Sequence, residues 1–358
     1  MVHTKGLNFN LEQLNVGKNK IFMKVKKVAV VGFGFMGMTH TANILKQSGL
    51  QLVAIVSKRP ENIDSKITES TGNFSTGEID AKALAAINKY SSLEECIEKE
   101  TLDAIFICVH TDLHFEMTKL ALSNGIHVFL EKPMVLDVNQ GQKLIDLAKT
   151  HNCMLMVGHV LRFMSPYMKL KKWIDDKTYG ELKFLSLTRF SGLPSWGQWK
   201  EKKDAFGSSG GALFDLLIHD IDFAQYLLGT PDQIQSTYLP GSLSEHDYIS
   251  ALWSYDSKEV KVKVEGGNTF HSNFPFQAGF MANFEGASIL YTTLKPEIIQ
   301  VANNDEVKEM DANDGGDGFF NEIVYFTSCL VNNQSPDQCL PESSLETVKI
   351  CYQHLNKK

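Results

Sequence analysis

A short β-branched run, Lys27-Val28-Ala29-Val30-Val31, leads without a spacer into Gly32-Phe33-Gly34-Phe35-Met36-Gly37, and a helix-compatible stretch, 38–47, follows. A strand, three glycines at this spacing and a helix constrain the chain more than any other feature it has. Gly32 permits a tight turn, Gly34 lets backbone approach a pyrophosphate, and Gly37 lets the helix pack close to the strand. The anion would lie on the helix N-terminus, where unpaired N–H groups and the dipole favour negative charge. The expected cradle comprises Gly32, Gly34, Phe35, Met36 and Gly37. Taken alone, the glycine spacing also fits a turn with no ligand, and it is the flanking strand and helix that weigh for one.

A second strand-like run, 52–56, ends where a dinucleotide site would carry an acidic residue for the adenosine ribose of NAD, about 20 residues past the glycines. Ser57-Lys58-Arg59 stands there instead. A hydroxyl beside two cations suits a 2′-phosphate through charge-assisted hydrogen bonds, so NADP is favoured over NAD. The competing reading is a solvated loop. Downstream, helical and strand-like stretches alternate: Leu93–Lys99 helix, 104–109 strand, 113–124 helix opened by Asp112, 127–130 strand, 138–151 amphipathic helix, 153–157 strand. Such alternation implies a doubly wound parallel sheet whose ligands gather at strand C-terminal ends. Glu131-Lys132-Pro133 occupies one of these ends.

At 358 residues the chain is too long for one compact core, and 43% hydrophobic with 22% charged residues excludes disordered, collagen-like and coiled-coil architectures. After about residue 183 the rhythm changes to alternating runs at 184–190, 260–264, 276–284 and 289–293. Turn signals such as Asp256-Ser257-Lys258 and Glu285-Gly286 join them. Only 212–228 and stretches near 319–331 and 343–355 read as helices there, with the polar stretch 303–318 as a loop. A formal charge of −7 argues against nucleic acid and for a small-molecule ligand. Six cysteines without metal-type spacing read as reduced core residues, and no metal site is expected. No apolar run approaches membrane length and residues 1–22 lack a secretory layout, so the expectation is a cytoplasmic protein with an N-terminal arm and no membrane partner.

Two further stretches complete a pattern: Val157-Gly158-His159-Val160-Leu161-Arg162-Phe163, and Ser209-Gly210-Gly211-Ala212-Leu213-Phe214-Asp215-Leu216-Leu217-Ile218-His219-Asp220-Ile221-Asp222. With the glycine turn and Glu131-Lys132-Pro133, in this order, the chain resembles the Gfo/Idh/MocA family of NAD(P)-dependent sugar and cyclitol oxidoreductases. Residues 209–222 are similar to the inositol dehydrogenases of that family, whereas Ser57-Lys58-Arg59 is not. The resemblance implies an α/β Rossmann domain at 23–157 and an α+β domain at 158–358 built on an open, mostly antiparallel sheet. That second domain would bind substrate and make homodimer or homotetramer contacts. One departure is Val109-His110, where the family commonly has Thr-Pro. His110 would lie near the cofactor.

Asp215 and His219 are four apart in a helical stretch, so both are expected on one face, a turn from each other. His219 can accept a hydroxyl proton as hydride leaves the carbinol carbon, while Asp215 binds a neighbouring hydroxyl or supports the imidazolium. Lys132 would hydrogen-bond the reacting oxygen and share in proton relay. Isolated, the pair also fits a surface contact, and the family motifs reverse that weighting. Pro133 keeps Lys132 extended, and the resemblance implies a cis bond there. Glu131 joins the expected cofactor contacts. His159 and Arg162 could line the substrate side or serve interdomain packing. Trp196 and Trp199 could stack on a sugar, or belong to a covering loop or an oligomer contact. The expected activity is hydride transfer between NADP or NAD and a secondary alcohol or ketone of a sugar, sugar derivative or cyclitol. The alternatives are a glycosidase using transient oxidation and a non-catalytic cofactor-binding regulator.

Overall fold

The structure, a computed structural model, describes residues 25–66, 77–193 and 210–355. The arm at 1–22 and both Trp196 and Trp199 lie outside the described residues. Six strands, β1 (Lys26–Val31), β2 (Leu50–Val56), β3 (Asn88–Tyr90), β4 (Ala104–Ile107), β5 (His127–Glu131) and β6 (Leu155–Gly158), form a parallel sheet in the order β3-β2-β1-β4-β5-β6. This is the expected doubly wound sheet. Between them run α1 (Phe35–Leu45), α2 (Ile63–Lys66), α3 (Ala81–Ala85), α4 (Leu93–Lys99), α5 (His114–Ser123) and α6 (Val138–Thr150). Ser92 and Asp137 cap α4 and α6 by accepting from the backbone N–H groups of Glu95 and Asn139. Asp112, expected to open α5, instead lies in a preceding 3-10 turn and faces His110.

Strand residues of this sheet alternate between two cores. Val31, Ile105, Ile107 and Leu130 pack with Leu122 of α5 and Leu144 of α6, whereas Val28, Val30, Phe106 and Phe129 pack with Met38 and Ile44 of α1. The second core is completed from the far end of the chain. Ile323, Phe326 and Leu330 come from α9 (Gly318–Asn332), and Leu345 of α10 (Pro341–His354) enters the first core. Residues of 158–358, expected to build the second domain, thus also close the first.

The second sheet has eight strands: β7 (Leu182–Gly192), β8 (Gln233–Leu239), β9 (Tyr248–Tyr255), β10 (Lys258–Phe270), β11 (Gln277–Phe284), β12 (Ser288–Thr292), β13 (Ile298–Ala302) and β14 (Val307–Asp311). Their order is β14-β13-β12-β11-β7-β10-β9-β8, antiparallel throughout except for the β7–β10 pair. Register sets one row, Val301-Ile289-Ala282-Leu185-Val262-Trp253, against the helices α7 (Ser165–Asp175), α8 (Ile218–Leu228) and α10. The adjacent row on the other face carries the exposed Leu290, Met281 and Leu252.

Three expectations change. The stretch 303–318 contains β14, an edge strand with exposed, mostly polar residues that give no alternating signal. It is started by Asn303, whose side-chain oxygen accepts from the backbone of Asp305 and Glu306. Ser165–Asp175, not counted among the helices, is one, with Pro166 in its first turn and Tyr167, Leu170 and Trp173 buried. The 212–228 helix is not α throughout: Leu213–Leu217 is a π turn, and the α-helix proper begins at Ile218.

Candidate active site

The three glycines do different work. Gly32 sits at φ +92°, and a Cβ there would lie 2.6 Å from the Cys108 carbonyl oxygen; at Gly37 it would lie 1.9 Å from the Gly32 carbonyl oxygen. Both positions are closed by the protein's own backbone. Above Gly34 a Cβ would meet nothing within 4 Å, and Gly34 starts α1 with no side-chain cap. Above Gly34, where the α1 N-terminus opens, no described residue therefore stands within 4 Å, and half-buried Phe35 and Met36 lie beside it. A pyrophosphate fits this cradle.

The Gly32 N–H donates to Val56 at 2.9 Å, which brings the end of β2 alongside. Ser57 follows, its hydroxyl 3.4 Å from the Arg59 N–H, and the exposed Lys58 and Arg59 make no ion pair with a described residue. At the end of β4, His110 Nδ1 lies 3.0 Å from Asp112. Buried His114 places Nδ1 at 2.8 Å from the Pro133 carbonyl and Nε2 at 3.1 Å from that of Val109. Burial holds this imidazole below the usual histidine range, so one N–H donates at a time. His114 thus ties the 109–110 turn to the Glu131-Lys132-Pro133 turn, a role that its place in an ordinary amphipathic helix does not announce.

The Lys132–Pro133 bond is cis. Lys132 Nζ donates to the Asp215 carbonyl oxygen at 2.7 Å and to its carboxylate at 3.2 Å, with the lysine side chain 14% and the Asp215 side chain 42% exposed. His219 is half-buried and its Nδ1 has no hydrogen-bond partner among the described residues. Burial first, and then the positive charges of Lys132 and Arg189, hold its imidazole well below the ordinary range, so the ring is a neutral proton acceptor. Among the described residues no hydrogen bond joins Asp215 to His219. Asp215 lies within the π turn, which winds wider than the α spacing of the i,i+4 expectation, and its carbonyl accepts from Lys132. The expected Asp215–His219 couple becomes a Lys132–Asp215 couple with His219 beside it.

Around these lie two buried arginine–aspartate pairs. Arg162 donates to Asp222 through Nε at 2.9 Å and Nη2 at 2.5 Å, and through Nη1 to the Gln338 carbonyl at 2.7 Å. Thr347 of α10 donates to the same Asp222. Arg162 therefore joins the end of the first module to α8 and the C-terminal segment, the packing alternative rather than a substrate contact. Burial pushes Asp222 up, but the charge and hydrogen bonds of Arg162 outweigh it and keep it ionised. His159, 1% exposed with Nδ1 3.3 Å from Asp222, is held neutral by burial, its pKa brought down to about 4. Arg189 of β7 reaches Asp220 at 2.6 Å. Glu131 places one oxygen 2.5 Å from His40 Nε2 and accepts the Lys132 N–H with the other at 3.2 Å. Of these, Arg189, Asp220, Asp222, His40 and His114 went unnoticed in the sequence; Asp220 and Asp222 stand inside the 209–222 motif, but the others carry no local signal.

Comparison with known proteins gives two family models. Residues 26–159 match "Oxidoreductase family, NAD-binding Rossmann fold", and residues 167–289 match "GFO/IDH/MocA C-terminal domain". A myo-inositol 2-dehydrogenase of Thermotoga maritima is 26% identical over 241 residues, 67% of this chain and 66% of the relative, slightly under two thirds of its length. A scyllo-inositol 2-dehydrogenase (NADP(+)) of Bacillus subtilis is 23% identical over 337 residues, 90% of this chain and 94% of the relative. A crystal structure of a probable dehydrogenase from Thermotoga maritima superposes with a TM-score of 0.73 at 18% identity, over 92% of this chain and 96% of that one, a likeness of fold. No helix among the described residues is long and apolar enough to cross a membrane.

Proposed function

This chain belongs to the Gfo/Idh/MocA oxidoreductase family, and from that premise we propose that it transfers hydride between NADP, or less readily NAD, and a secondary alcohol or ketone of a sugar, sugar derivative or cyclitol. The observation that carries this is Lys132 Nζ held on Asp215, with neutral His219 beside it, at the C-terminal end of β5 in the same parallel sheet whose β1 ends in the glycine cradle. Gly32, Gly34 and Gly37 with the α1 N-terminus would hold the pyrophosphate, and Lys58 and Arg59 the 2′-phosphate. When bound, the nicotinamide supplies the hydride acceptor or donor.

The protein's own residues do the rest. Lys132 exchanges one of its contacts with Asp215 for the substrate oxygen and orients it. His219, uncharged, takes the hydroxyl proton in oxidation and returns it in reduction. Asp215 retains Lys132 through its backbone carbonyl while its exposed carboxylate receives a neighbouring hydroxyl. We further propose that two copies associate through the sheet face carrying Leu252, Met281 and Leu290, that the protein works in the cytoplasm, and that the division near residue 158 separates cofactor and substrate domains. Light scattering tests the first of these.

Titrations with NADP and NAD, followed by a screen of polyols, hexoses, glycosides and their keto forms for nicotinamide absorbance change, test the activity. Stoichiometric cofactor reduction without glycoside release supports it. Glycoside cleavage without net reduction favours the glycosidase alternative, and failure to bind either nucleotide removes both.

A further inference from the structure

Three buried ionisable side chains from three elements meet at the inner side of the Glu131-Lys132-Pro133 turn. His40 of α1, Glu131 of β5 and Glu322 of α9 have their nitrogen and oxygen atoms within 4.8 Å of one another. Glu131 is fully engaged, with His40 on one oxygen and the Lys132 N–H on the other. Glu322 is 1% exposed, yet neither of its carboxylate oxygens has a hydrogen-bond partner among the described residues. The surroundings are aromatic: Phe129 meets the His40 ring edge-on at 5.0 Å, and Phe106 and Phe319 lie within 6.5 Å of it.

An unpaired carboxylate cannot stay ionised beside an ionised Glu131 in such a medium. A cation could compensate two carboxylates, but His40 Nε2 and Glu131 Oε1 stand 2.5 Å apart, which requires a proton between them rather than two lone pairs facing one ion. Glu322 is therefore the group that remains to be neutralised. Burial, and then the charges of Glu131 and Asp317, push its carboxyl well above the usual range. The titratable groups facing it are His40 from α1, Cys108 after β4, Glu131 from β5, Asp317 before α9 and Cys339 after it.

We propose that Glu322 is a positioning residue for Lys132, acting through the Glu131–His40 pair. Its carboxyl group fills the space behind Glu131, so that carboxylate stays turned to the Lys132 N–H. A negative charge at 322 would push Glu131 off that N–H, and a shorter side chain would let it relax backwards. The inference rests on the reading of Lys132 as a catalytic group.

Glu322→Gln, which copies the neutral acid in length and shape, and Glu322→Leu, which ends one atom short of the carboxyl oxygens and leaves the space behind Glu131 unfilled, test it in the full chain. Wild-type stability falls as pH rises above the unfolded carboxyl range, because the folded chain must keep a proton there; the amide has no such cost. The thermal midpoint of Glu322→Gln should therefore gain on wild type as pH rises from 5 to 9. With the polyol found in the screen, Glu322→Gln should hold kcat within about threefold of wild type, whereas Glu322→Leu should lose about tenfold in kcat with cofactor Kd little changed. A leucine variant with wild-type kcat overturns the proposal. So does a glutamine variant that loses kcat, or that falls behind wild type in midpoint as pH rises. One equivalent of divalent metal in the purified wild type, absent from Glu322→Gln, would make the site a cation site instead. The midpoints are read without turnover, so a chain that oxidises no polyol defeats the functional reading while the neutral-acid test still stands.

Discussion

The glycine turn at 32–37 and the π turn at Leu213–Leu217 both present backbone groups to the candidate site, but they are held in shape differently. The first is determined by atoms near it in the sheet: at Gly32 and Gly37 a methyl group would strike the carbonyls of Cys108 and Gly32. The second bears no comparable mark in its residues. Leu-Phe-Asp-Leu-Leu is an ordinary apolar helical sequence, and what accompanies its wider winding is the Asp215 carbonyl accepting from Lys132, 83 residues away in sequence. A turn enforced by short-range sterics can be read from its sequence. One coupled to a distant charge has to be seen.

The largest effect should come from breaking the first turn. Gly37→Ala puts a methyl group 1.9 Å from a backbone oxygen that cannot move aside, and should cost about 3 kcal/mol or more, enough to empty the soluble fraction or lower the thermal midpoint sharply. Gly34→Ala is its control. With open space above it, stability should change by no more than about 0.5 kcal/mol, while cofactor affinity falls about tenfold because the methyl stands where the pyrophosphate would approach. If Gly34→Ala is as unstable as Gly37→Ala, the distinction between a packing glycine and a ligand glycine is lost.

At the π turn, Lys132→Ala should lower kcat by about 10² to 10⁴ with cofactor Kd little changed. Asp215→Ala should do less, about tenfold, because the shorter of the two contacts to Lys132 is to the backbone carbonyl, which substitution leaves in place. Equal losses in the two variants would mean that the carboxylate, and not the turn, holds the lysine.

The same division governs what was legible throughout. The parallel sheet, the glycine cradle and the Glu131-Lys132-Pro133 turn follow from apolar runs, glycine spacing and strand ends, all short-range signals. β14 was hidden because an exposed edge strand needs no apolar face, and the closing of the first core by Ile323, Phe326 and Leu330 because nothing in a helix states which sheet it covers. Arg162 shows the same limit: its place after the last strand suits a substrate contact, but Asp222, 60 residues on, takes two of its donors and the Gln338 carbonyl a third. Glu322 stayed invisible because its importance lies in having no hydrogen-bond partner among the described residues.

A smaller effect concerns the end of β2, where Lys58 and Arg59 act locally, as the glycines do. Replacing both by alanine should weaken NADP binding by about 10- to 100-fold, the scale of one charge-assisted phosphate contact, and leave NAD binding unchanged. Equal loss for both nucleotides would assign the pair to the shared part of the cofactor, and no loss for either would return it to solvent.

The smallest effect lies farthest from any local rule. His354, near the C-terminal end of α10, accepts the Trp253 indole N–H on Nε2 at 2.9 Å and has Nδ1 2.8 Å from the Ile350 carbonyl, an arrangement that only the neutral tautomer satisfies. Burial brings its pKa down to about 4. The unfolded chain then binds a proton near pH 6.5 that the folded chain refuses until about pH 4, so stability is complete above the upper value and declines as pH falls between them. The slope from this one residue is about 1.4 kcal/mol per pH unit. His354→Gln should melt lower at pH 7.5, having lost one of two hydrogen bonds, and should lose less on acidification to pH 5. His159, held neutral in the same way, keeps part of the slope in the variant. An unchanged slope in His354→Gln would show that the Trp253–His354–Ile350 chain does not set the protonation state, and that this distant contact, unlike the one at the π turn, is packing without electrostatic consequence.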